Sequence, residues 1–260
     1  MIFIDTHTHV DGPEFDEDRD LVIQRAKDAG ATKLLIPAID LKSMDTVIDT
    51  CNKYKGYAFP MVGLHPEEVK ADYKDVLTQL HTYLERDNDF IAIGEIGLDY
   101  YWSREFENEQ LDAFETQVQW SVDMGLPISI HCRKAQNEMI KILKKYKNEL
   151  PGGVFHCFTG NEKEAAELLD FDNFVLGIGG VITFKKSHLP EVTRDIPLER
   201  IVLETDAPYM APTPMRGKRN ESSYIPYIIE KIALAKGITM NAVAEQTTAN
   251  AERVFFGKNI

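Results

Sequence analysis

Short apolar runs punctuate this chain, and between them lie longer stretches in which apolar residues return every third or fourth position. The runs read "IFIDTH" (2–7), "KLLIPAI" (33–39), "FPMVGLH" (59–65), "FIAIGEIG" (90–97), "PISIHCR" (127–133), "GVFHCF" (153–158), "FVLGIGG" (174–180) and "RIVLETD" (200–206). Short runs rich in β-branched and aromatic residues predict strands, here eight of them. Helical periodicity occupies 16–29, 42–55, 72–87, 105–124, 134–148 and 162–170, with a helical tail over 222–257. Strands that alternate with helices pair in parallel through right-handed crossovers. Eight such units in about 250 residues is the count of a closed (β/α)8 TIM barrel. An open doubly wound sheet is the competing arrangement. It often opens on a glycine-rich phosphate loop, and neither GxGxxG nor GxxxxGK[ST] follows any of the runs.

The polar residues gather where the runs end. His7 and His9 end the first, His65 the third, Glu95 the fourth, His131 the fifth, His156 the sixth and Asp206 the eighth, so five of the seven histidines stand at expected strand ends. In a parallel barrel all those ends open on one face, where sites are built. Strand alternation puts Asp5, His7 and His9 on one side, and likewise Ser129, His131 and Arg133, and Glu204 with Asp206. A lone histidine at a strand end is more often a hydrogen-bonded core residue than a ligand. An HxH pair is harder to dismiss, because two imidazoles aimed at one point repel when protonated and gain little from burial when neutral. Joined by Glu95, His131, His156 and Asp206, the pair suits Zn, Mn, Fe or Co, and Mg with enough water ligands. Six protein donors exceed the needs of one catalytic ion, which must keep an open position, so two divalent ions are expected. Cys132 and Cys157 have the opposite parity and read as small apolar residues facing the helices. His81 and His188 read as structural or solvent-facing, and Trp102, after the fourth run, is a candidate for lining the pocket.

Composition narrows the setting. There is no linker-like or low-complexity break, so residues 1–260 are expected to form a single domain, and 43% hydrophobic content is ample for a core. The longest uncharged apolar run, near "FVLGIGGVITF", is far below the ~18 residues of a membrane span, and the N-terminus has no basic region followed by an apolar stretch. Three cysteines in so long a chain argue against a disulfide framework, and a cytoplasmic location is expected. A net charge of -13 argues against broad binding to nucleic acid or anionic membrane. Against it stands "MRGKRN", which puts Arg216, Lys218 and Arg219 in the loop after the eighth run, on the face that carries the ligand set.

Taken in order, "DTHTH", "VGLHP", "IGEIGLDYY", "ISIHCR", "FHCFTG", "GIGG", "LETDAPY" and "RGKRNE" resemble the successive signatures of the TatD family of metal-dependent deoxyribonucleases, within the amidohydrolase superfamily. The likeness covers residues 2 to about 250. It implies a (β/α)8 barrel with a pair of divalent ions (Mg, Mn or Zn) and hydrolysis of DNA phosphodiester bonds by metal-activated water, commonly as a 3′ to 5′ exonuclease. Carried over residue by residue, His7, His9 and Asp206 would hold one ion, His131 and His156 the other, and Glu95 would bridge them, in the place where many amidohydrolases carry a carbamylated lysine. Asp206 and Glu95 are thus the catalytic candidates, with Asp206 orienting the water or taking its proton. Glu204 is a candidate for support of the site, His65 for phosphate contact or for binding metal, Arg133 for phosphate contact, and Arg216 and Lys218 for holding a single-stranded DNA end. Neither a membrane nor an obligate protein partner is expected. A hydrolase of a small amide, ester or phosphate is the alternative.

Overall fold

Eight strands, β1 (Phe3–Asp5), β2 (Ala31–Pro37), β3 (Ala58–Val62), β4 (Ala92–Asp99), β5 (Ile128–Arg133), β6 (Gly153–Phe155), β7 (Phe174–Ile178) and β8 (Ile201–Leu203), form one sheet in sequence order, and every neighbouring pair is parallel. This computed structural model describes residues 1–86 and 89–257. The ring is completed just beyond the strand ends, where Thr6 N–H donates to Leu203 O (3.0 Å), Asp206 N–H to His7 O (3.0 Å) and His9 N–H to Ala207 O (2.8 Å). The (β/α)8 barrel expected from the alternation is therefore the fold.

The helices are α1 (Arg19–Ala29), α2 (Leu41–Lys53), α3 (Tyr73–Glu85), α4 (Glu107–Met124), α5 (Gln136–Leu143), α6 (Glu162–Leu168), α7 (Leu189–Asp195), α8 (Ile225–Lys236) and α9 (Met240–Ala251). Their starts carry local signals. Asp40 with Ser43 and Asn161 with Glu164 form reciprocal capping boxes at α2 and α6. The expected helix 72–87 ends at Glu85 among the described residues, and Asp87 lies outside them. The helical tail is two helices: Gly237, at φ 65°, adopts the left-handed conformation that ends α8 and lets α9 begin afresh after Thr239. Among the described residues no helix is long and apolar enough to cross a membrane.

Two layers of core follow from the alternation. Outside the barrel, Phe3, Leu34, Ile36, Val62, Ile93, Ile130 and Leu203 pack against helix residues such as Ala26, Val47, Phe114 and Ile228. Inside, Ile4, Leu35, Met61, Ala92, Val154, Val175 and Val202 form a separate cluster closed by Ala251 and Phe255. The π-helical turn Glu252–Phe256 that follows α9 thus plugs the N-terminal end of the barrel. Phe256 meets Phe59 edge to face (4.9 Å) and lies under Lys33 (4.7 Å), at the starts of β3 and β2.

The apolar floor fixes which residues point inward, and two strands depart from simple alternation above it. Counting up from inward-facing Ile4, both Asp5 and His7 should point outward. Asp5 does: its carboxylate accepts hydrogen bonds from Ser222 Oγ (2.6 Å), Thr205 Oγ1 (2.7 Å) and Thr205 N–H (3.0 Å). The chain then bends at Thr6, whose N–H and Oγ1–H both bind Leu203 O at 3.0 Å, and the bend swings His7 into the barrel mouth. The expected shared side of Asp5, His7 and His9 therefore fails for Asp5. In β4, the ladder to β5 shifts register between Ile93 and Ile96, which turns Glu95 inward while Ile93, Ile96 and Leu98 all face the helices. Glu95 does not end the strand as expected: β4 runs on to Asp99.

Phe255→Ala removes the plug from a site that is 3% exposed, and should lower stability by about 3–5 kcal/mol in urea unfolding. A loss below about 1 kcal/mol would mean that the turn does not close the barrel core.

Candidate metal centre

Glu95 is the hub of the barrel mouth. Its Oε2 lies 3.1 Å from His7 Nε2 and 3.6 Å from His9 Nε2. Its Oε1 lies 3.1 Å from His131 Nδ1, 3.4 Å from His65 Nε2 and 3.7 Å from His156 Nε2. Asp206 Oδ1 faces the same space, 3.7 Å from both His9 Nε2 and His156 Nε2 and 4.0 Å from His7 Nε2. The rings of His7 and His156 stack at 3.5 Å, and the Nε2 atoms of His7 and His9 are 3.3 Å apart. Four ligand groups sit within metal-binding range: His7, His9 and Glu95; His7, His156 and Asp206; His65, Glu95 and His131; and, behind His156, His156, Cys157 and Glu204. The structure thus brings together all six residues of the expected ligand set, with His65 as a seventh member.

The rings are held from behind. His156 Nδ1 is 3.1 Å from Glu204 Oε2, His131 Nε2 is 2.9 Å from Asp99 Oδ2, and His7 Nδ1 is 3.4 Å from Ser129 Oγ. Such partners fix the ring tautomer and aim the opposite nitrogen at the centre. Glu204 fits only because residue 177 is glycine, since a Cβ there would stand 2.1 Å from Glu204 Oε2. His65 differs from the other imidazoles. Its Nδ1 accepts the N–H of Glu67 at 3.2 Å, so the neutral ring carries its proton on Nε2 and donates it towards Glu95.

Electrostatics sort these groups. Burial works against the Glu95 charge, but the imidazoles of His7, His65 and His131 outweigh it and hold the carboxyl well below its usual range. Asp206 is pushed up to about 7 by burial, against the pull of His156 and reinforced by Glu95 and Glu204. Burial likewise drives His7 well below its ordinary value and His9 down to about 4. His131 and His156 go the other way: burial opposes their charge, yet Asp99 and Glu95 lift His131 to about 9, and Glu204, Glu95 and Asp206 lift His156 to about 10. Protons on two imidazoles therefore balance the buried carboxylates. Imidazole binds a metal only through a free lone pair, so a divalent cation would take over the balancing role from those protons. Donor set, burial and charge all fit such an ion.

The remaining candidates lie on the rim or elsewhere. Arg133 and Arg216 are exposed, with Arg133 stacked on Tyr101 (3.5 Å) and Arg216 on Phe184 (3.8 Å); Lys218 is exposed in the same loop as Arg216. Arg219 is committed to Asp18 (2.8 Å) and the Glu14 carbonyl (2.5 Å), so it is not a free cation. Cys132 packs against the helix layer as expected. Cys157 does not: it sits in the turn after β6 at φ 50°, with its N–H on Glu204 Oε1 (2.6 Å) and its Sγ 3.7 Å from Met210 Sδ. His81 lies against Trp120 (5.2 Å), and His188, which precedes α7, lines a pocket with Thr159, Gly160 and Phe184; neither belongs to the ligand groups. Asp99 was missed by the sequence reading. The only signal for it is its place two residues beyond Gly97 in "GLDYY", which becomes informative once the β4 register shift is known.

A parallel barrel whose mouth gathers five imidazoles around buried carboxylates is the working end of a metal-dependent hydrolase. The family profile described as TatD related DNase matches residues 4–256, and the chain belongs to that family. It is 36% identical over 256 residues to a protein of Bacillus subtilis named uncharacterized metal-dependent hydrolase YabD, covering 98% of this chain and 99% of that one. It is 32% identical to the 3′-5′ ssDNA/RNA exonuclease TatD of Pantoea ananatis, over 96% of this chain and 98% of that one. Among solved structures, the TatD homolog YjjV of Escherichia coli superposes with a TM-score of 0.91 at 28% identity, covering 98% of each chain.

Because His131 and His156 hold protons at pH 7, metal binding should release them, and affinity should rise as pH rises towards 9. Calorimetric titration with Zn or Mn in buffers of different ionisation enthalpy should report a release of about two protons. A buffer-independent enthalpy would show that the rings were already unprotonated.

Proposed function

We propose that this chain, acting as one catalytic domain, hydrolyses phosphodiester bonds at the 3′ ends of single-stranded DNA, with two divalent ions. One observation carries the two-ion reading: the two oxygens of Glu95 face separate sets of imidazoles, Oε2 towards His7 and His9, Oε1 towards His131 and His156. On this reading His7, His9 and Asp206 would hold one ion and His131 and His156 the other, with Glu95 serving both. When bound, the ions draw charge from the scissile phosphate and make a nearby water easier to deprotonate.

The protein groups do the rest. Asp206, poised at about 7, accepts a proton at Oδ1 from the attacking water. Glu95 stays ionised throughout, since its surroundings hold it well below its usual range. Glu204 keeps His156 oriented through Nδ1, and Asp99 does the same for His131 through Nε2. His65, with its proton on Nε2, donates a hydrogen bond to a phosphate oxygen. Arg133, Arg216 and Lys218 stand exposed to meet the strand's phosphates. The name of the Pantoea relative supports nucleic acid as substrate and leaves RNA beside DNA as a substrate to test.

Two measurements test this reading. Elemental analysis should give two ions per chain in the wild type and fewer in Glu95→Ala; one ion, unchanged by the substitution, defeats the pair. Asp206→Asn should keep the fold and cut turnover of a 5′-labelled single strand by ~10²- to 10⁴-fold in Mg, Mn or Zn. Near-normal rates at normal metal content would remove Asp206 from its role. If the wild type spares single and double strands but cleaves a small amide, ester or phosphate, the alternative hydrolase reading takes over.

A further inference from the structure

The loop that leaves β4 carries two aromatic rings into solvent beside the metal centre. Trp102 is 68% exposed and Tyr101 is 49% exposed, whereas the other tryptophan, Trp120, is 7% exposed. The indole stands edge-on to the Tyr101 ring at 4.8 Å and 84°. Arg133, two residues after His131 on β5, lays its guanidinium 3.5 Å from the Tyr101 ring centre and 5.4 Å from that of Trp102. The unit is wired to the site through one carboxylate: Asp99 Oδ1 accepts the N–H of Tyr101 at 2.8 Å, and Asp99 Oδ2 lies 2.9 Å from His131 Nε2.

We propose that Tyr101, Trp102 and Arg133 form a stacking platform that takes an unpaired base of the substrate strand and so selects single-stranded ends. The proposal rests on the nuclease reading above. Leaving an indole in water forgoes the burial that Trp120 receives. Bracing by Tyr101 and Arg133 leaves few arrangements for the ring, so little ordering remains to be done when a flat ligand arrives. A nucleotide presents a π-face and an anion together, which matches an indole next to a guanidinium. In a duplex the same base is already stacked and paired, and reaching the platform requires unstacking it. With a net charge of -13, the protein has little long-range attraction for a polyanion, so short-range stacking carries more of the recognition.

Stacking on an aromatic side chain is worth about 5- to 150-fold in binding per base, from the usual ~1–3 kcal/mol. The test compares kcat/KM for a single-stranded oligonucleotide with that for the same oligonucleotide bearing abasic 3′-terminal nucleotides. The wild type should prefer the base-bearing strand by a factor in that range, Trp102→Phe should keep most of the preference, and in Trp102→Ala the ratio should fall towards one. Trp102 is one of two tryptophans in the chain, so its emission gives a readout independent of turnover. Adding the base-bearing oligonucleotide should quench the wild-type indole emission and leave the Trp120 emission of Trp102→Phe unaltered. A ratio in Trp102→Ala equal to that of the wild type, or quenching that persists in Trp102→Phe, overturns the platform while the nuclease reading stands. Absence of wild-type turnover on both oligonucleotides overturns the nuclease reading and the platform with it.

Discussion

Negative charge buried in the barrel mouth is the constraint around which this molecule is built. Glu95 has polar contacts to five imidazoles within 3.7 Å, and Asp206 and Glu204 bring two more carboxylates to the same few ångströms. An isolated carboxylate is expensive to bury, and like charges at that spacing cannot all ionise unless something positive stands between them. The surroundings supply that counterweight in graded form, through imidazoles whose protons come and go and through rings locked by Asp99, Glu204 and Ser129. A centre of this kind tolerates little displacement, because each donor is set by its neighbours.

Regular barrel geometry alone would not produce it. The strands supply a rigid apolar floor, but three departures above that floor aim the ligands: the bend at Thr6, the register shift between Ile93 and Ile96, and the left-handed backbone of Asp206 at φ 56°. Among the described residues, the four non-glycine residues with positive φ, Lys134, Cys157, Asp206 and Met210, all follow β5, β6 or β8 on this same face. Unfavourable backbone states of this type cost about 1–3 kcal/mol each and persist where the surrounding structure over-determines them. Here the over-determination is visible, in the plugged floor beneath and the helix layer around.

The same departures mark where sequence reading succeeds and where it stops. Eight strands are legible because burial on both faces leaves unbroken apolar runs, and His131 and Glu204 fall on the expected side because alternation holds from Ser129 and Val202 upward, whereas Asp206 lies beyond β8 and is aimed by its left-handed backbone. Asp5 was put on the wrong side and Asp99 was overlooked because a bend and a register shift change parity without leaving a residue-type signal. Cys157 was sent to the helices by counting through a residue that is already in a turn. Helix α7 is as short as α6 but lacks the capping box that marks α6, since no side chain caps it and it opens on Leu189-Pro190, so its residues read as loop. Residue types therefore announced the chemistry, while the backbone irregularities that focus it became visible only in three dimensions.

The acidic balance of the chain takes on a different meaning once its cations are traced. Arg25 pairs with Glu221, Arg219 with Asp18, and Arg19 with Asp16 and the carbonyls of Val10, Asp11 and Gly12, so these arginines knit the β1 and β8 loops together. Exposed positive charge remains on the rim, where Arg133 and Arg216, both stacked on aromatic rings, are joined by Lys134, Lys185, Lys186 and Lys218. A surface of this kind cannot hold a long polyanion by neutralising many phosphates, since that affinity scales with the number neutralised. On the proposed function it would suit a short terminal segment, where bound cations would offset the local carboxylates and flat, near-range contacts would set the register. Weak attraction at a distance and dense chemistry at the mouth would then belong to one design, in which only a strand whose end can reach into the barrel gains from both.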